Sequence, residues 1–205
     1  MNDNQQTHTT IEDYEPEKKG YEIRYQHIYN WFLSHLKAYA CLKFVYKYLS
    51  YFVVFMYILL TAYCIFGNKE IKETIPLFLT NNGYVVESSR LLVTFKIILT
   101  PMTSFILLSV IRKCIDAKRP YEKYNITPLI SKKTVGESMP SRHIFSITII
   151  AMCWMYISVP IGTILIFLSI VMAVSRVLAG VHFIRDVIAG FIIGILCGFT
   201  GLWIM

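Results

Sequence analysis

Five runs of mainly apolar residues constrain this chain more than any other feature of its sequence. An α-helix rises about 1.5 Å per residue, so about 20 apolar residues are needed to cross the hydrocarbon core of a bilayer. A soluble fold of 205 residues could not bury this much apolar surface, because 55% of the residues are hydrophobic. The pattern predicts an all-α, polytopic membrane helical bundle with about five to six transmembrane helices. The runs cover residues 48–66, 91–111, 143–159, 161–179 and 184–205.

The segment before the first run is polar and divides into two parts. Residues 1–20 carry few apolar side chains, which predicts a disordered N-terminal tail and not a secretory signal peptide. Residues 21–47 interleave aromatic residues with Lys and Arg, a pattern typical of an amphipathic helix at the membrane interface. The membrane domain then covers residues 48–205. In the alternative interpretation, residues 28–46 contribute a sixth span.

Net charge and cysteine content narrow the function classes. A formal charge of +7 is typical of basic cytoplasmic loops or of a site for an anionic ligand such as phosphate. No segment resembles a nucleic-acid-binding module, and no nucleic-acid partner is expected. The five cysteines have no CxxC spacing and lie mostly in apolar runs. We therefore expect them to be small hydrophobic side chains, with no disulfide or metal framework.

Polar residues cluster beside the ends of these runs, and the topology places three clusters at one membrane face. Successive spans alternate in direction, so the end of the second, the start of the third and the end of the fourth meet at the same surface. Ionisable side chains are costly at this depth, which makes such a cluster a functional-site hypothesis by default. The clusters read RKCIDAKRP (112–120), PSRH (140–143) and SRVLAGVHFIRD (175–186).

These clusters contain the groups of an anion site. Arg112, Arg119 and Arg176 would provide three fixed positive charges, and planar guanidinium groups match the oxygens of a phosphate. Ser141 adds a hydroxyl donor at the start of the third span. The helix N-terminus at the same place adds backbone N–H groups. The combination predicts phosphate binding.

Two histidines and one carboxylate add the groups needed for phosphoryl transfer. His182 and Asp186 are four residues apart, so at a helix start they would share one face. The carboxylate can hold the imidazole in one tautomer, which leaves the other ring nitrogen free as a nucleophile. His143 supplies a second imidazole that can protonate a leaving oxygen. These groups, with the arginines, suit phosphoryl transfer without a metal.

The three clusters resemble the motifs of the type 2 phosphatidic acid phosphatase family, which shares its catalytic core with class A acid phosphatases and vanadium haloperoxidases. The family motifs are K-x6-R-P, P-S-G-H and S-R-x5-H-x3-D, in this order. The sequence has R-x6-R-P at 112–120, P-S-R-H at 140–143 and an unbroken third motif at 175–186. The resemblance covers roughly residues 90–200.

The resemblance implies a role for each matching position. His182 attacks phosphorus and forms a phosphohistidine, Asp186 orients His182, and His143 protonates the leaving group. No cofactor and no metal are expected. The phosphate oxygens are held by Arg112, Arg119, Ser141, Arg142 (through its backbone N–H) and Arg176.

Two positions depart from the family pattern. Arg112 stands where the family has lysine, unless a slip of one residue gives that place to Lys113. The positive charge is kept in either case, so phosphate binding is expected to survive. Arg142 stands where the family has glycine, and its side chain could contact a second phosphate or a lipid headgroup. This departure bears on the identity of the substrate more than on activity.

The resemblance implies hydrolysis of a phosphomonoester or diphosphate on a membrane lipid. Candidate substrates are undecaprenyl diphosphate, phosphatidylglycerol phosphate and phosphatidic acid, and a polyprenyl diphosphate is slightly preferred. The alternatives are transfer of the phosphoryl group to another lipid and non-catalytic binding or transport of a lipid phosphate. Binding alone would need only the arginines, so His182 and Asp186 favour an enzyme. The hydrophobic spans make a haloperoxidase the least favoured interpretation.

The side of the membrane on which the site lies has two conflicting indications. The resemblance implies a site that faces outward or into a lumen, and we expect a bacterial plasma membrane. With five spans the N-terminus lies on the same side as the site, whereas Lys37, Lys43 and Lys47 near it indicate the cytoplasm. A sixth span would remove the conflict. The outward-facing site is the preferred prediction.

Overall fold

The computed structural model describes residues 14–67, 70–74, 85–132 and 134–204 of the chain. In this part, the strands β1 (Glu70–Thr74) and β2 (Val85–Ser89) pair antiparallel, and a π-helical turn (Thr200–Ile204) follows the last helix. The helices are α1 (Tyr14–Ser34), α2 (Leu36–Phe66), α3 (Arg90–Ile115), α4 (Pro120–Lys123), α5 (Arg142–Ile157), α6 (Val159–Leu178) and α7 (Ile184–Phe199).

Five apolar helices form the membrane bundle. Four of them, α2, α3, α6 and α7 with its π-helical turn, are long and apolar enough to cross a bilayer. The fifth, α5, has 16 residues and would extend over about 24 Å. The predicted all-α membrane bundle is confirmed. Within the described residues these five helices make up the bundle, and one further long helix, α1, lies outside it.

Helix α5 lies at the centre of the bundle, where it packs against α2, α3, α6 and α7. Eleven of its 16 residues are buried, as expected for a helix that is apolar on every face and enclosed by other helices. The outer helices instead expose large apolar side chains, such as Phe55 and Leu59 of α2 and Leu99 and Ile106 of α3. These side chains are positioned to contact lipid.

Helix α7 approaches α5 closely because glycines of α7 face it at every fourth position. A Cβ atom at Gly190 would lie 2.7 Å from the carbonyl oxygen of Ser141, and one at Gly194 would lie 2.8 Å from the Cβ of Thr148. Small residues at this spacing let helix backbones pack tightly in a membrane. The starts of the two helices are joined directly, since the Ser141 N–H donates to the carbonyl of Asp186 at 2.9 Å.

The proline within α3 leaves one carbonyl group without its helical donor. Pro101 has no N–H, so the carbonyl of Ile97 four residues earlier loses its usual hydrogen bond. The hydroxyl of Tyr57 on α2 donates to this carbonyl at 3.2 Å. The bond satisfies a polar group at membrane depth, where each unpaired group is costly, and it joins α2 to α3.

Helix α1 lies across the end of the bundle where the predicted site residues gather. The Tyr25 hydroxyl donates to the carbonyl of Leu178 at 3.3 Å and accepts the N–H of Leu129 at 3.2 Å. The Glu22 carboxylate accepts the N–H of Asn125 at 2.8 Å. The helix is therefore docked on the end of α6 and on the loop that follows α4.

The helix boundary in the N-terminal region differs from the predicted one. The sequence predicts an interfacial helix at 21–47 and a span from residue 48, whereas the helical break lies at His35 and residues 36–47 begin α2. Aromatic and basic residues do not stop a helix, so the helix continues through residue 47 although the composition changes there. Of the predicted disordered tail, residues 14–20 are helical and residues 1–13 lie outside the described residues.

The connection between α2 and α3 contains a short hairpin. Glu70 pairs with Ser89, and Thr74 pairs with Val85. The sequence predicts only a polar connection with a turn at Asn82-Gly83, and that turn lies outside the described residues. The hairpin leads into the end of α3 that is remote from Arg112, so it sets the start of this span and not the site.

Candidate active site

The three predicted clusters meet at one end of the bundle. Helix α3 carries Arg112 near its end, α6 carries Arg176 near its end, and α5 begins with Arg142. The charges of Arg142, Arg119 and Asp186 all act on the guanidinium of Arg112. Alternating helix directions therefore bring the three motifs together as the sequence predicts.

Backbone carbonyls of one loop orient two of the arginines. Arg112 is only 1% exposed and donates to the carbonyls of Glu137 and Pro140. Arg119 is also buried, and its Nε donates to the carbonyl of Gly136 at 3.1 Å. A guanidinium has five N–H donors, so such bonds fix its plane and leave other donors for a ligand. The loop 136–140 thus sets the direction of two charges.

The third arginine is held from α2, which precedes all the motifs. The NH2 group of Arg176 donates to the Ser50 hydroxyl at 2.9 Å and to the Tyr46 carbonyl at 3.3 Å. Its guanidinium lies 3.8 Å from the centre of the Tyr46 ring, a stacking geometry that favours arginine over lysine. No motif includes Tyr46 or Ser50. Tyr46 lies in the predicted interfacial segment and Ser50 in the predicted first span, and neither position gives a sign of a role at the site.

Positive charge exceeds negative charge around these arginines. Within the described residues, neither Arg119 nor Arg176 forms an ion pair with a carboxylate, and Arg112 has only Glu137, at 3.9 Å. The Glu137 side chain is 37% exposed, so its compensation is partly screened by solvent. Buried charges are costly unless they are paired. The cluster therefore favours an anionic ligand.

The start of α5 adds donors to the same cluster. Ser141 is the N-cap residue and is fully buried, yet its hydroxyl makes no capping bond and meets no partner among the described residues. Arg142 is the first helical residue, so its N–H belongs to the donors that lack an intrahelical acceptor. Lys113 is exposed whereas Arg112 is buried, which places Arg112 in the cluster.

His182 and Asp186 are linked through a third residue, Ser138. The Ser138 hydroxyl donates to Oδ2 of Asp186 at 2.5 Å. Its oxygen lies 3.3 Å from Nδ1 of His182, and Nδ1 lies 3.6 Å from Oδ2 of Asp186. All three side chains are buried. Ser138 lies outside the motifs and was missed by the sequence analysis, because no spacing rule marks it.

The spacing of four predicts that His182 and Asp186 share one face of a helix. In the structure they do not, because His182 precedes the helix. His182 lies in the turn before α7, which Gly180 makes possible with a φ of +75°. Asp186 is the third residue of α7, and its Oδ2 accepts the N–H of Phe183 at 3.0 Å. The carboxylate thus caps the helix and faces the histidine at the same time.

The hydrogen-bond pattern assigns the proton of the His182 ring. Because the Ser138 hydroxyl gives its proton to Asp186, its oxygen can only accept from Nδ1 of His182. Nδ1 therefore carries the proton, and Nε2 keeps its lone pair. This is the tautomer that a nucleophilic histidine needs.

Burial keeps this imidazole neutral. Desolvation lowers the pKa of His182 to about 4, although the nearby Asp186 carboxylate acts in the opposite direction. The positive charges of Arg119 and Lys132 lower the pKa further. The ring is thus unprotonated at neutral pH and available for attack.

His143 lies at the border between the polar cluster and the apolar interior. It is half-buried at the start of α5, and it and Arg142 line a cavity of about 430 Å³. The charges of Arg176 and Lys132 act on its ring, and the ring interacts electrostatically with that of His182, which places the two histidines in one site. The rest of the cavity wall is mainly apolar and is formed by Ser50, Val53, Val54, Phe105, Ser146, Ile150 and Met172.

Lys132 also belongs to this cluster, although it lies in a loop and in none of the three motifs. It is partly buried, and burial together with the charges of Arg119, Arg176 and Arg142 lowers its pKa to about 8. A lysine surrounded by arginines is not a solvated loop charge. The place of Lys132 in the cluster could not be predicted from the sequence, because its distance to the site depends on how residues 124–132 fold over the bundle.

Comparisons with known proteins agree with this architecture. The family model described as PAP2 superfamily matches residues 90–205, which is more than half of the chain. Comparison with curated protein sequences gives no match.

Two solved structures are similar to this chain. The crystal structure of Aquifex aeolicus LpxE is 24% identical in sequence, with a TM-score of 0.50, and the match covers 76% of this chain and 86% of that one. The PAP2-type phosphatidylglycerolphosphate phosphatase of Bacillus subtilis is 19% identical, with a TM-score of 0.49, and the match covers 87% and 90% of the two chains. LpxE shares the fold, and the family model, which covers more than half of the chain, gives the assignment: this integral membrane chain belongs to the PAP2 superfamily of phosphatases.

Proposed function

We propose that this protein hydrolyses a phosphomonoester or diphosphate of a membrane lipid through a phosphohistidine intermediate. The observation that carries the proposal is His182, whose Nε2 is left free by the Ser138–Asp186 pair beside a cluster of buried guanidinium groups. A binding protein would need the cations alone. An oriented, neutral imidazole beside them suits covalent catalysis.

The reaction has two steps. Nε2 of His182 attacks phosphorus and the bond to the leaving oxygen breaks, while His143 gives that oxygen a proton. Burial and the neighbouring cations lower the pKa of His143 to about 2 without substrate, so this proton arrives with the bound phosphate, whose negative charge favours the protonated ring. Water then attacks the phosphohistidine, returns a proton to His143 and releases inorganic phosphate. Arg112, Arg119 and Arg176 stabilise the charge that develops on the phosphate oxygens in both transition states.

The cavity beside His143 supports a lipid as substrate. Its polar end carries Arg142 and His143, and its apolar wall follows α5 to Ile150, about 10 Å further along the helix. A second, mainly apolar cavity of about 450 Å³ shares Phe105 and Ile150 with it and continues between α3 and α5. A phosphate headgroup at the polar end would place its hydrocarbon chain along this apolar path.

The guanidinium groups support a reaction without a metal ion. Four arginines and the α5 N-terminus supply the positive charge that many phosphoryl-transfer enzymes take from Mg²⁺. Activity in the presence of EDTA is therefore expected.

We further propose that the site faces outward across a bacterial plasma membrane, as the family resemblance implies. The basic residues Lys37, Lys43 and Lys47 lie toward the same end as the site, because α2 contacts Arg176 through Tyr46. Basic residues at this end are the usual sign of a cytoplasmic face, so the proposed orientation rests on the family resemblance and not on these charges.

Phosphate release tests the proposed function. Purified protein in detergent with EDTA would be given lipid monophosphates and diphosphates, beside the variants His182→Ala and His27→Ala. His27 is an exposed histidine of α1 outside the site and serves as the matched control. We expect release by the wild type and His27→Ala and its loss in His182→Ala. Release that persists in His182→Ala would overturn the mechanism, and phosphate found on a second lipid would assign a transferase.

A further inference from the structure

The turn that carries His182 begins at a carbonyl group that α6 cannot satisfy by itself. Leu178 is the last residue of α6, and the last four carbonyls of a helix have no intrahelical donor. The Tyr25 hydroxyl of α1 donates to the Leu178 carbonyl at 3.3 Å. Tyr25 is only 4% exposed, and burial raises the pKa of its hydroxyl to about 12, so the hydroxyl keeps the proton that it donates.

The same hydroxyl lies against the backbone of the turn. Gly180 precedes His182 by two residues and has a φ of +75°. A Cβ atom at Gly180 would overlap the hydroxyl and the ring of Tyr25, so the glycine backbone packs directly on the tyrosine. Tyr25 therefore limits how far the turn can move toward α1.

A second tyrosine of α1 packs on the other side of His182. The Tyr21 ring lies 5.7 Å from the Phe183 ring and 4.4 Å from the Tyr124 ring, centre to centre. Phe183 follows His182 directly, and its N–H is a donor to Asp186. Helix α1 thus contacts the turn before and after the proposed nucleophile, although it precedes the residues that match the family model.

We infer that Tyr25, with support from Tyr21, is a positioning residue that holds the turn so that the His182 ring keeps its place for attack. The inference rests on the proposed function, in which His182 is the nucleophile. Ser138 and Asp186 set the tautomer and the direction of the ring, whereas α1 fixes the backbone to which the ring is attached. Attack needs close alignment, and a misplacement of about 1 Å can cost about a hundredfold in rate.

A purely structural role of Tyr25 in the neighbouring loop has to be separated from this role. The Tyr25 hydroxyl also accepts the N–H of Leu129 at 3.2 Å. Tyr39 of α2 donates to the carbonyl of the same residue at 3.1 Å. Among the described residues, the Tyr39 hydroxyl has no hydrogen bond to the turn. Tyr39 is therefore the matched control, because it holds the same loop and leaves the turn alone.

The test compares Tyr25→Phe with Tyr39→Phe on one lipid phosphate. Each variant loses a bond to Leu129, but only Tyr25→Phe also loses the bond to the turn. We expect Tyr25→Phe to lower kcat about fivefold with KM within about twofold, and Tyr39→Phe to keep kcat within about twofold. Amide hydrogen exchange at residues 179–183 should be faster than in the wild type in Tyr25→Phe and unchanged in Tyr39→Phe.

The outcomes separate this inference from the proposed function. An unchanged kcat or unchanged exchange in Tyr25→Phe overturns the inference, as does an equal fall of kcat in both variants, and each leaves the phosphatase intact. A rise in KM with unchanged kcat also overturns it, because Tyr25 would then act on the substrate. No phosphate release by the wild type overturns the proposed function and the inference with it.

A second variant decides if Tyr25→Phe does not fold. Tyr21→Leu loses the ring contact with Phe183 on the other side of His182. It should lower kcat about threefold and leave KM unchanged, since an aromatic pair contributes on the order of 1 kcal/mol. An unchanged kcat in Tyr21→Leu would then overturn the inference.

Discussion

The Ser138 hydroxyl sits between Asp186 and His182 and decides which ring nitrogen is protonated. It donates to Asp186 at 2.5 Å and lies 3.3 Å from Nδ1 of His182. An Asp–His pair alone, at 3.6 Å, would hold the ring less firmly. Ser138 is thus a positioning residue, which acts through His182 and not on the phosphate.

Ser138→Ala should lower kcat about tenfold and leave KM within about twofold, because the hydrogen bonds of Ser138 with Asp186 and His182 are lost and the phosphate contacts remain. Ser109→Ala is the matched control, since that hydroxyl is exposed and bonds only within α3. Steady-state kinetics on one lipid phosphate would measure both constants. A rise in KM with unchanged kcat would show that Ser138 contacts the substrate instead.

The pH profile depends on the buried state of His182. Its pKa is lowered from 6.5 to about 4, so the neutral nucleophile persists down to about pH 4 and is lost below it. The charges facing it are those of Asp186, Arg119 and Lys132. We expect kcat/KM to fall about tenfold per pH unit below that value, measured on folded protein. If kcat/KM instead began to fall near pH 6.5 through protonation of His182, the ring would be solvated and not buried.

At the residue scale the sequence was most informative where a motif fixes both residue type and spacing. The three arginines, Ser141 and the two histidines were predicted from the motifs, and the structure places them together, while their roles stay predictions. Ser138 and Lys132 were not predicted, because they reach the site through the path of a loop. Sequence spacing reports proximity within a helix but not across a loop of this length.

At the scale of elements, the packing of α7 against α5 positions the donors of the site. The start of α5 carries Ser141, and Gly190 of α7 lies directly against its carbonyl group. A side chain at this glycine must move one helix away from the other. The distance between Ser141 and the His182 turn depends on this contact.

Gly190→Ala should therefore lower kcat/KM at least tenfold, about 1.4 kcal/mol in activation free energy, while the bundle still assembles. A Cβ would meet the Ser141 carbonyl at 2.7 Å. Gly20→Ala is the matched control, because a Cβ there meets nothing within 4 Å in α1. That variant should keep full activity and stabilise the helix by about 1 kcal/mol or less. Equal activity of the two variants would contradict the packing argument.

The apolar runs predicted the spanning helices well, since hydrophobic length is a physical requirement of the bilayer. The break at His35 was not predicted, because neither a proline nor a glycine marks it. The docking of α1 on the bundle could also not be predicted from the sequence. It depends on hydrogen bonds of Tyr25 with Leu129 and Leu178, which are more than 100 residues away along the chain.

At the scale of the whole molecule, five membrane helices fix the relation between the termini and the site. Helix α1 docks on the catalytic end, so the N-terminal region and the site share one side, and the end of α7 lies on the other. An outward-facing site then predicts an outward N-terminal region and a cytoplasmic C-terminus.

Protease access to terminal tags, on intact cells and on inverted vesicles, would measure on which side of the membrane each terminus lies. We expect an N-terminal tag to be cleaved on intact cells and a C-terminal tag only on inverted vesicles. The reverse pattern would place the site in the cytoplasm. Both tags on one side would require a sixth span and contradict the five-helix bundle.

The central claim is that His182 carries the phosphoryl group during turnover. Rapid quenching of the enzyme with a lipid substrate labelled in its terminal phosphate, followed by peptide mapping, tests it most directly. We expect a base-stable, acid-labile phosphate on the peptide that contains His182. It should form with EDTA present and should not form in His182→Ala. Turnover without this adduct under conditions that trap the first step, or phosphate on another residue, would contradict it.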